Sequence, residues 1–231
     1  MGGEPELVLL LQVFPEGVEE LDGAFAVYAD EPPLGFDVLE VEDVREGWED
    51  SWRAFHRGVG VGRFWVGPPW ERAPDGLEPI VVDPGRAFGT GAHPTTRLSL
   101  HLLQTVEPAS LLDVGCGSGV LSIAAAKLGF APVVAIDVEE DAVEACRSNA
   151  AANGVDVDAR RLDALTETIP PAEVVVANIA LDVVDRLLPR LSSRVAVTSG
   201  YLDRDRPSAD GWRRRERTEL DGWAADLFER E

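Results

Sequence analysis

Three glycines at alternate positions, Gly115, Gly117 and Gly119, follow the short apolar run Leu111-Leu112-Asp113-Val114 and precede the helix-forming stretch Val120 to Ala126. That order predicts a strand, a tight turn and a helix. Glycine lets a ligand approach the main chain closely, and the start of a helix offers N–H groups with no intrahelical partner. The chemistry this suits is the binding of a nucleotide-like cofactor. The spacing narrows the class. A dinucleotide fingerprint reads G-x-G-x-x-G or G-x-G-x-x-A, whereas position 120 here is Val. A phosphate loop ends in Gly-Lys-Ser/Thr, and the octet 112–119 contains no lysine. Two acids complete the pattern. Asp113 lies two positions before the first glycine, and Asp137 ends the run Val133-Val134-Ala135-Ile136. An acid at the end of the second strand suits a ribose diol.

A second unusual segment runs Asp83-Pro84-Gly85-Arg86-Ala87-Phe88-Gly89-Thr90-Gly91-Ala92-His93-Pro94-Thr95-Thr96. Pro94 suits the first turn of a helix, and the segment reads either as an ornate N-cap or as a lid. In the second reading Phe88 is an apolar plug that excludes water from a closed site. Asn178, in Val176-Ala177-Asn178-Ile179, ends an apolar strand, and ligands bind at the carboxyl ends of parallel strands. It faces a cofactor, holds an incoming amine, or caps a helix starting at 181. Asp163 either meets an adenine amino group or caps a turn. His93 is the single candidate base, with a structural role as the alternative. Cys116 has no base near it in sequence, so a nucleophilic thiol is disfavoured.

The pattern D-x-G-x-G-x-G resembles the first motif of class I S-adenosylmethionine-dependent methyltransferases. The string D-P-G-x-A-F-G-T-G-x-H-P-T-T, followed by L-D-V-G-C-G-S-G, resembles the PrmA family, whose members methylate large-subunit ribosomal protein eleven. Trp48-x-x-x-Trp52-Arg53-x-Phe55 and Arg63-Phe64-Trp65-Val66-x-Pro68-Pro69-Trp70 are similar to the same family, so the likeness covers most of residues 45–229. The resemblance implies S-adenosylmethionine as cofactor and no metal. It implies cofactor contacts at Thr96, Gly115, Asp137 and Asn178, with Asp113, Gly117 and Gly119 completing the turn and Asp163 near the adenine. Asn178 and the Phe88 lid are the groups expected to serve the reaction itself. Glutamine-amide methyltransferases resemble one another in an Asn-Pro-Pro-Tyr tetrapeptide; here it is Asn178-Ile179-Ala180-Leu181, which favours an amine acceptor, a lysine side chain or an α-amino group. Another protein lysine, a small amine, or a non-catalytic cofactor-binding scaffold are the alternatives.

The bulk numbers agree with a globular chain. It has 231 residues, 45% of them hydrophobic, enough for one large α/β domain and a small one. No stretch reaches the roughly 18 apolar residues of a membrane span, and Leu7–Leu11 is read as strand rather than signal peptide. Two cysteines form no disulfide framework, which with the soluble pattern points to the cytoplasm. The net charge of −21 disfavours a direct nucleic-acid partner and favours encounter with a basic protein. A monomer is expected. The basic cluster Arg213-Arg214-Arg215 with Arg217 reads as a solvated strand face.

The elements that must position these residues follow from periodicity. Residues 1–55 read as a small α+β substrate-recognition domain: strands at Leu7–Phe14, Ala24–Tyr28 and Phe36–Val41, a helix start at Pro15–Leu21, and a helix at Asp43–Phe55 with Trp48, Trp52 and Phe55 on one face. Residues 56–79, rich in Gly, Pro and Trp, read as a linker with a strand at Arg63–Val66. Residues 80–231 read as the S-adenosylmethionine-binding catalytic domain. Strands are expected at 80–82, 111–114, 132–137, 156–161, 173–178 and 194–199, with helices at 95–105, 118–128, 139–153 and 181–190. A closing hairpin, 212–220 and 223–228, turns through Asp221-Gly222. The fold class is α/β, a mostly parallel sheet with right-handed crossovers. The resemblance implies a seven-stranded Rossmann-like methyltransferase sheet.

Overall fold

The computed structural model describes residues 18–21, 24–27, 57–83 and 91–231. The chain divides into two compact units, Met1–Ser51 and Trp52–Glu231. In the first, β1 (Val18–Leu21) and β2 (Ala24–Val27) form an antiparallel pair with Val18 opposite Val27. Residues 15–21 were expected to begin a helix; Val18–Leu21 is a strand instead. An isolated turn or two of helix is marginal in water, and pairing with β2 satisfies the same backbone groups. The expected strands at Leu7–Phe14 and Phe36–Val41, the helix at Asp43–Phe55 and its aromatic face lie outside the described residues.

The second unit opens with a three-stranded sheet: β3 (Val59–Val61), β4 (Phe64–Gly67) and β5 (Glu78–Val81). β3 and β4 are antiparallel; β4 and β5 are parallel. This is the stretch read as a linker, and it is built into the core. Phe64, Val66 and Ile80 are fully buried and pack in one cluster with Leu98, Leu102 and Leu103. The glycines and tryptophan that suggest a hinge in the sequence serve close packing. A Cβ on Gly58 or Gly67 would lie 2.2 or 2.3 Å from the Trp65 ring.

The main sheet has seven strands in the order β11-β12-β10-β9-β6-β7-β8. They are β6 (Leu111–Val114), β7 (Val133–Asp137), β8 (Asp158–Arg161), β9 (Val174–Asn178), β10 (Val195–Leu202), β11 (Trp212–Leu220) and β12 (Trp223–Arg230). β10, β9, β6, β7 and β8 are parallel to one another; β12 is antiparallel to both β10 and β11. This is the seven-stranded, mostly parallel sheet expected, closed by the expected hairpin. Its turn has Asp221 at φ 50° and Gly222 at φ 80°, the positive pair a two-residue hairpin demands.

Among the described residues four helices flank the sheet: α1 (Pro94–Leu103), α2 (Val120–Leu128), α3 (Glu140–Ala152) and α4 (Leu181–Leu187). Leu111, Val174, Val176, Val195 and Val197 turn one face toward α1 and α2. Leu112, Val175, Ala177 and Ala196 turn the other toward Val184, Leu187 and Leu188. Runs buried on both faces are what parallel strands require. α4 stops earlier than expected and continues as a 3-10 turn, Leu188–Arg190, because Pro189 has no N–H to extend the α ladder. The chain runs outward from β6 through β7 to β8, then returns to β9 on β6's other side. The order therefore reverses at β6, and the crevice at the carboxyl ends of such strands is where open α/β sheets bind ligands.

Candidate active site

The glycine turn leaves β6 at that reversal point. Gly115, Gly117 and Gly119 all have positive φ, between 50° and 81°. The turn is closed mainly by its own chain. The N–H groups of Gly115 and Cys116 both donate to the Ile136 carbonyl, at 2.8 and 3.1 Å, and Gly119 donates to the Cys116 carbonyl at 2.8 Å. Two glycines are required by neighbours. A Cβ on Gly115 would lie 2.4 Å from Ile179 Cγ2, and one on Gly119 would lie 2.6 Å from Cys146 Sγ. The bare backbone thus admits Ile179 and α3, a role spacing alone does not reveal.

Asp137 ends β7 beside the turn. Its Oδ2 accepts the Gly117 N–H at 3.0 Å and its Oδ1 accepts the Glu139 N–H at 3.1 Å. A carboxylate has about four acceptor positions, so acceptor capacity remains for a diol. Asp113 lies behind the turn, 1% exposed. Its Oδ2 accepts the Ser122 hydroxyl at 2.6 Å, while Oδ1 has no hydrogen-bond partner. Burial pushes its pKa up to about 7, the Ser122 bond opposes this, and the negative charge of Asp137 adds to it.

Asn178 ends β9, and its Nδ2 donates to the Thr96 hydroxyl at 3.3 Å. Thr96 is buried in the first turn of α1. The alternative of a helix cap does not hold for Asn178, since the N-cap of α4 is Ala180 with no side-chain cap bond. Ile179, next in the chain, donates its N–H to the Ser199 carbonyl at 3.0 Å. Gly200, at φ 101°, accepts the close approach of the Ile179 backbone; a Cβ there would lie 2.2 Å from the Ile179 oxygen. The segment after β9 is therefore held between the glycine turn and β10. Neither Ile179 nor Gly200 was singled out from sequence, because their roles exist only across strands.

His93 is the N-cap of α1. Its Nδ1 accepts the Thr95 N–H at 3.4 Å and lies 2.8 Å from the Thr95 hydroxyl, and its ring meets Trp223 edge-on at 4.9 Å. Burial lowers its pKa. This is the structural role. Asp163 organises a turn: Oδ1 accepts the Leu165 N–H and Oδ2 the Thr166 hydroxyl, each at 2.8 Å, while its own N–H donates to Glu167. Those bonds, the Leu165 one foremost, hold its carboxyl below the usual range. Cys116 and Cys146 are free and buried; the bond to Cys146 and burial push the Cys116 thiol far above its ordinary pKa, which leaves it inert as a nucleophile at neutral pH. Phe88 lies outside the described residues. Arg213 and Arg215 both bond Glu229, and Arg214 faces the buried Asp226 at 3.7 Å, so the basic cluster is partnered within its hairpin. No described helix is long and apolar enough to cross a membrane.

Asp137 and Asn178 thus end the two strands that flank β6, at the carboxyl edge of the sheet. Comparison with known proteins bears on this geometry. The sequence model of the ribosomal protein L11 methyltransferase (PrmA) family matches residues 22–206. The chain is 45% identical over 177 residues to a ribosomal protein L11 methyltransferase of Symbiobacterium thermophilum, covering 74% of this chain and 56% of that one. It is 38% identical over 197 residues to that of Geotalea uraniireducens, covering 78% and 61%. The chain thus spans between half and two thirds of the length of these relatives. Among solved structures, the ribosomal protein L11 methylase of Lactobacillus delbrueckii subsp. bulgaricus superposes with a TM-score of 0.70 at 28% identity, covering 76% of this chain and all of that one. A tRNA (uracil-54, C5)-methyltransferase of Pyrococcus abyssi, at 24% identity and a TM-score of 0.52 over 65% of this chain and 41% of that one, shares the fold. With its glycine turn, its reversed strand order and this match over most of its length, the chain belongs to the ribosomal protein L11 methyltransferase family.

Proposed function

We propose that the chain binds S-adenosylmethionine in the crevice above β6, β7 and β9 and methylates amines of ribosomal protein L11. The observation that carries the reading is the meeting of Thr96 and Asn178 beside the glycine turn and Asp137. When bound, S-adenosylmethionine supplies a methyl group on a sulfonium, electrophilic enough that the acceptor needs only alignment and a neutral nitrogen.

The residues fit that group. Asp137 retains acceptor capacity for the ribose hydroxyls. The first turn of α2 has no side-chain cap, so its N–H groups suit a carboxylate. Asn178 donates to Thr96 through Nδ2, which leaves Oδ1 to accept an N–H from an incoming amine and orient its lone pair. Alignment of this kind supplies much of the acceleration of a two-substrate reaction. Burial disfavours a charged ammonium, and a plug at Phe88 would exclude water further. The acidity of the chain, −21 overall, draws in a basic substrate protein. Residues 1–55 serve as the docking domain and residues 80–231 bind the cofactor.

The test is incubation of the protein with ribosomal protein L11 and methyl-labelled S-adenosylmethionine, read by mass spectrometry of the L11 peptides. Label on lysine side chains or the α-amino group supports the reading. Cofactor binding with no label on L11 overturns the substrate.

A further inference from the structure

Helix α3 carries Asn149 near its end and is closed one turn later by Asn153, its C-cap. Asparagine is a poor helix-interior residue, so Asn149 needs a reason in the fold. Asn153 grips β5: its Oδ1 accepts the Val81 N–H at 2.9 Å and its Nδ2 donates to the Val81 carbonyl at 2.6 Å. Asn149 does something different. It is 5% exposed, its Nδ2 donates to the Ser118 carbonyl inside the glycine turn at 2.9 Å, and its Oδ1 accepts the Asp83 N–H at the exit of β5 at 3.2 Å. One amide therefore ties together two backbone segments that share no strand pairing. Cys146, on the preceding turn of α3, lies against Gly119, so the helix face that bears Asn149 is already in contact with the turn.

We propose that Asn149 is a positioning residue for the cofactor: its amide holds the Ser118 carbonyl, and with it the Gly117–Gly119 backbone, in register with the end of β5. The proposal rests on the S-adenosylmethionine reading. Removing the amide takes away the donor to the Ser118 carbonyl and the acceptor of the Asp83 N–H together. Asn153 provides the comparison, since it makes the same kind of clamp on β5 without touching the turn.

The experiment measures S-adenosylhomocysteine affinity by calorimetry and thermal unfolding for wild type, Asn149→Asp and Asn153→Ala. Asn149→Asp keeps the acceptor for Asp83 and loses the donor to Ser118. Its affinity is expected to fall about tenfold or more, on the scale of the one hydrogen bond lost to the turn. In steady state the cofactor KM rises while kcat at saturating cofactor is retained. Asn153→Ala is expected to unfold at lower temperature yet bind within about twofold of wild type. Equal losses in the two variants, or undiminished binding by Asn149→Asp, overturn the proposal while leaving the cofactor reading intact; a wild-type protein that does not bind overturns both. If Asn149→Asp does not fold, hydrogen exchange on the wild type decides. Adding S-adenosylhomocysteine should slow exchange at the Asp83 amide together with residues 115–119, and protection of the turn with none at Asp83 overturns the coupling.

Discussion

The Nδ2 of Asn178 lies 3.3 Å from the hydroxyl of Thr96, a residue 82 positions earlier in the chain. One closes β9 and the other opens α1, so the contact joins the sheet to the helix at the carboxyl edge. It brings an amide and a hydroxyl together at the edge where open α/β sheets bind ligands.

Removing either partner should act on turnover. Asn178→Ala is expected to lower kcat on ribosomal protein L11 about a hundredfold, the scale of a misaligned reacting group, with S-adenosylhomocysteine affinity changed much less. Thr96→Val should shift kcat in the same direction. The double variant should lose less than the sum of the two, since residues in contact act as a unit. Strict additivity would show that the pair does not act together.

Asp137 bonds the Gly117 N–H. On the proposed function, Asp137→Ala removes an acceptor from the turn and from the ribose. Hydrogen bonds to charged groups contribute about 1.5–3 kcal/mol each, so a loss of about a hundredfold in S-adenosylhomocysteine affinity is expected by calorimetry. Unchanged affinity would remove Asp137 from the cofactor site.

Asp113 makes a pH prediction. Its pKa rises from an ordinary 3.8 to about 7 in the fold, chiefly by burial. Between those values the folded chain holds a proton that the unfolded chain has released. Its favourable contribution is therefore complete below about pH 4 and is lost as pH rises to about 7, some 4 kcal/mol by linkage. Asp113→Asn keeps an acceptor for Ser122 and does not titrate. In urea unfolding at pH 5 and pH 8, the variant should gain on wild type at the higher pH. A constant difference between the two proteins would contradict the buried, protonated carboxyl.

The two-unit division predicts separable roles. A chain lacking residues 1–51 should bind S-adenosylhomocysteine as the full chain does and fail to methylate ribosomal protein L11. Methylation of L11 by the truncated protein would show that docking does not need those residues.

Much of the fold was legible because local pattern and tertiary demand agree. The apolar runs at 111–114, 133–137 and 174–178 are buried strands, and the Asp221-Gly222 pair makes the hairpin turn it predicts. The misreadings share one cause. Gly58, Gly67 and Trp65 read as a linker by composition, yet the ring covers both glycines, and composition cannot distinguish a flexible glycine from one that makes room for a neighbour. Val18–Leu21 is a strand because β2 pairs with it, information that lies outside its own four residues.

At the site, sequence alone determined the residue types and the order of elements: an acid, three glycines, a second acid one strand later and an asparagine at a strand end. Those follow from the local rules of turns and from the period of buried strands, which act over a few positions. Tertiary structure alone decided what each does with its neighbours. It turned the first N–H groups of the glycine turn toward Ile136, gave the space over Gly115 to Ile179, and brought Asn149 between Ser118 and Asp83. Hydrogen bonds and packing reach only a few ångströms in space while their partners lie tens of residues apart, so no reading along the chain contains them.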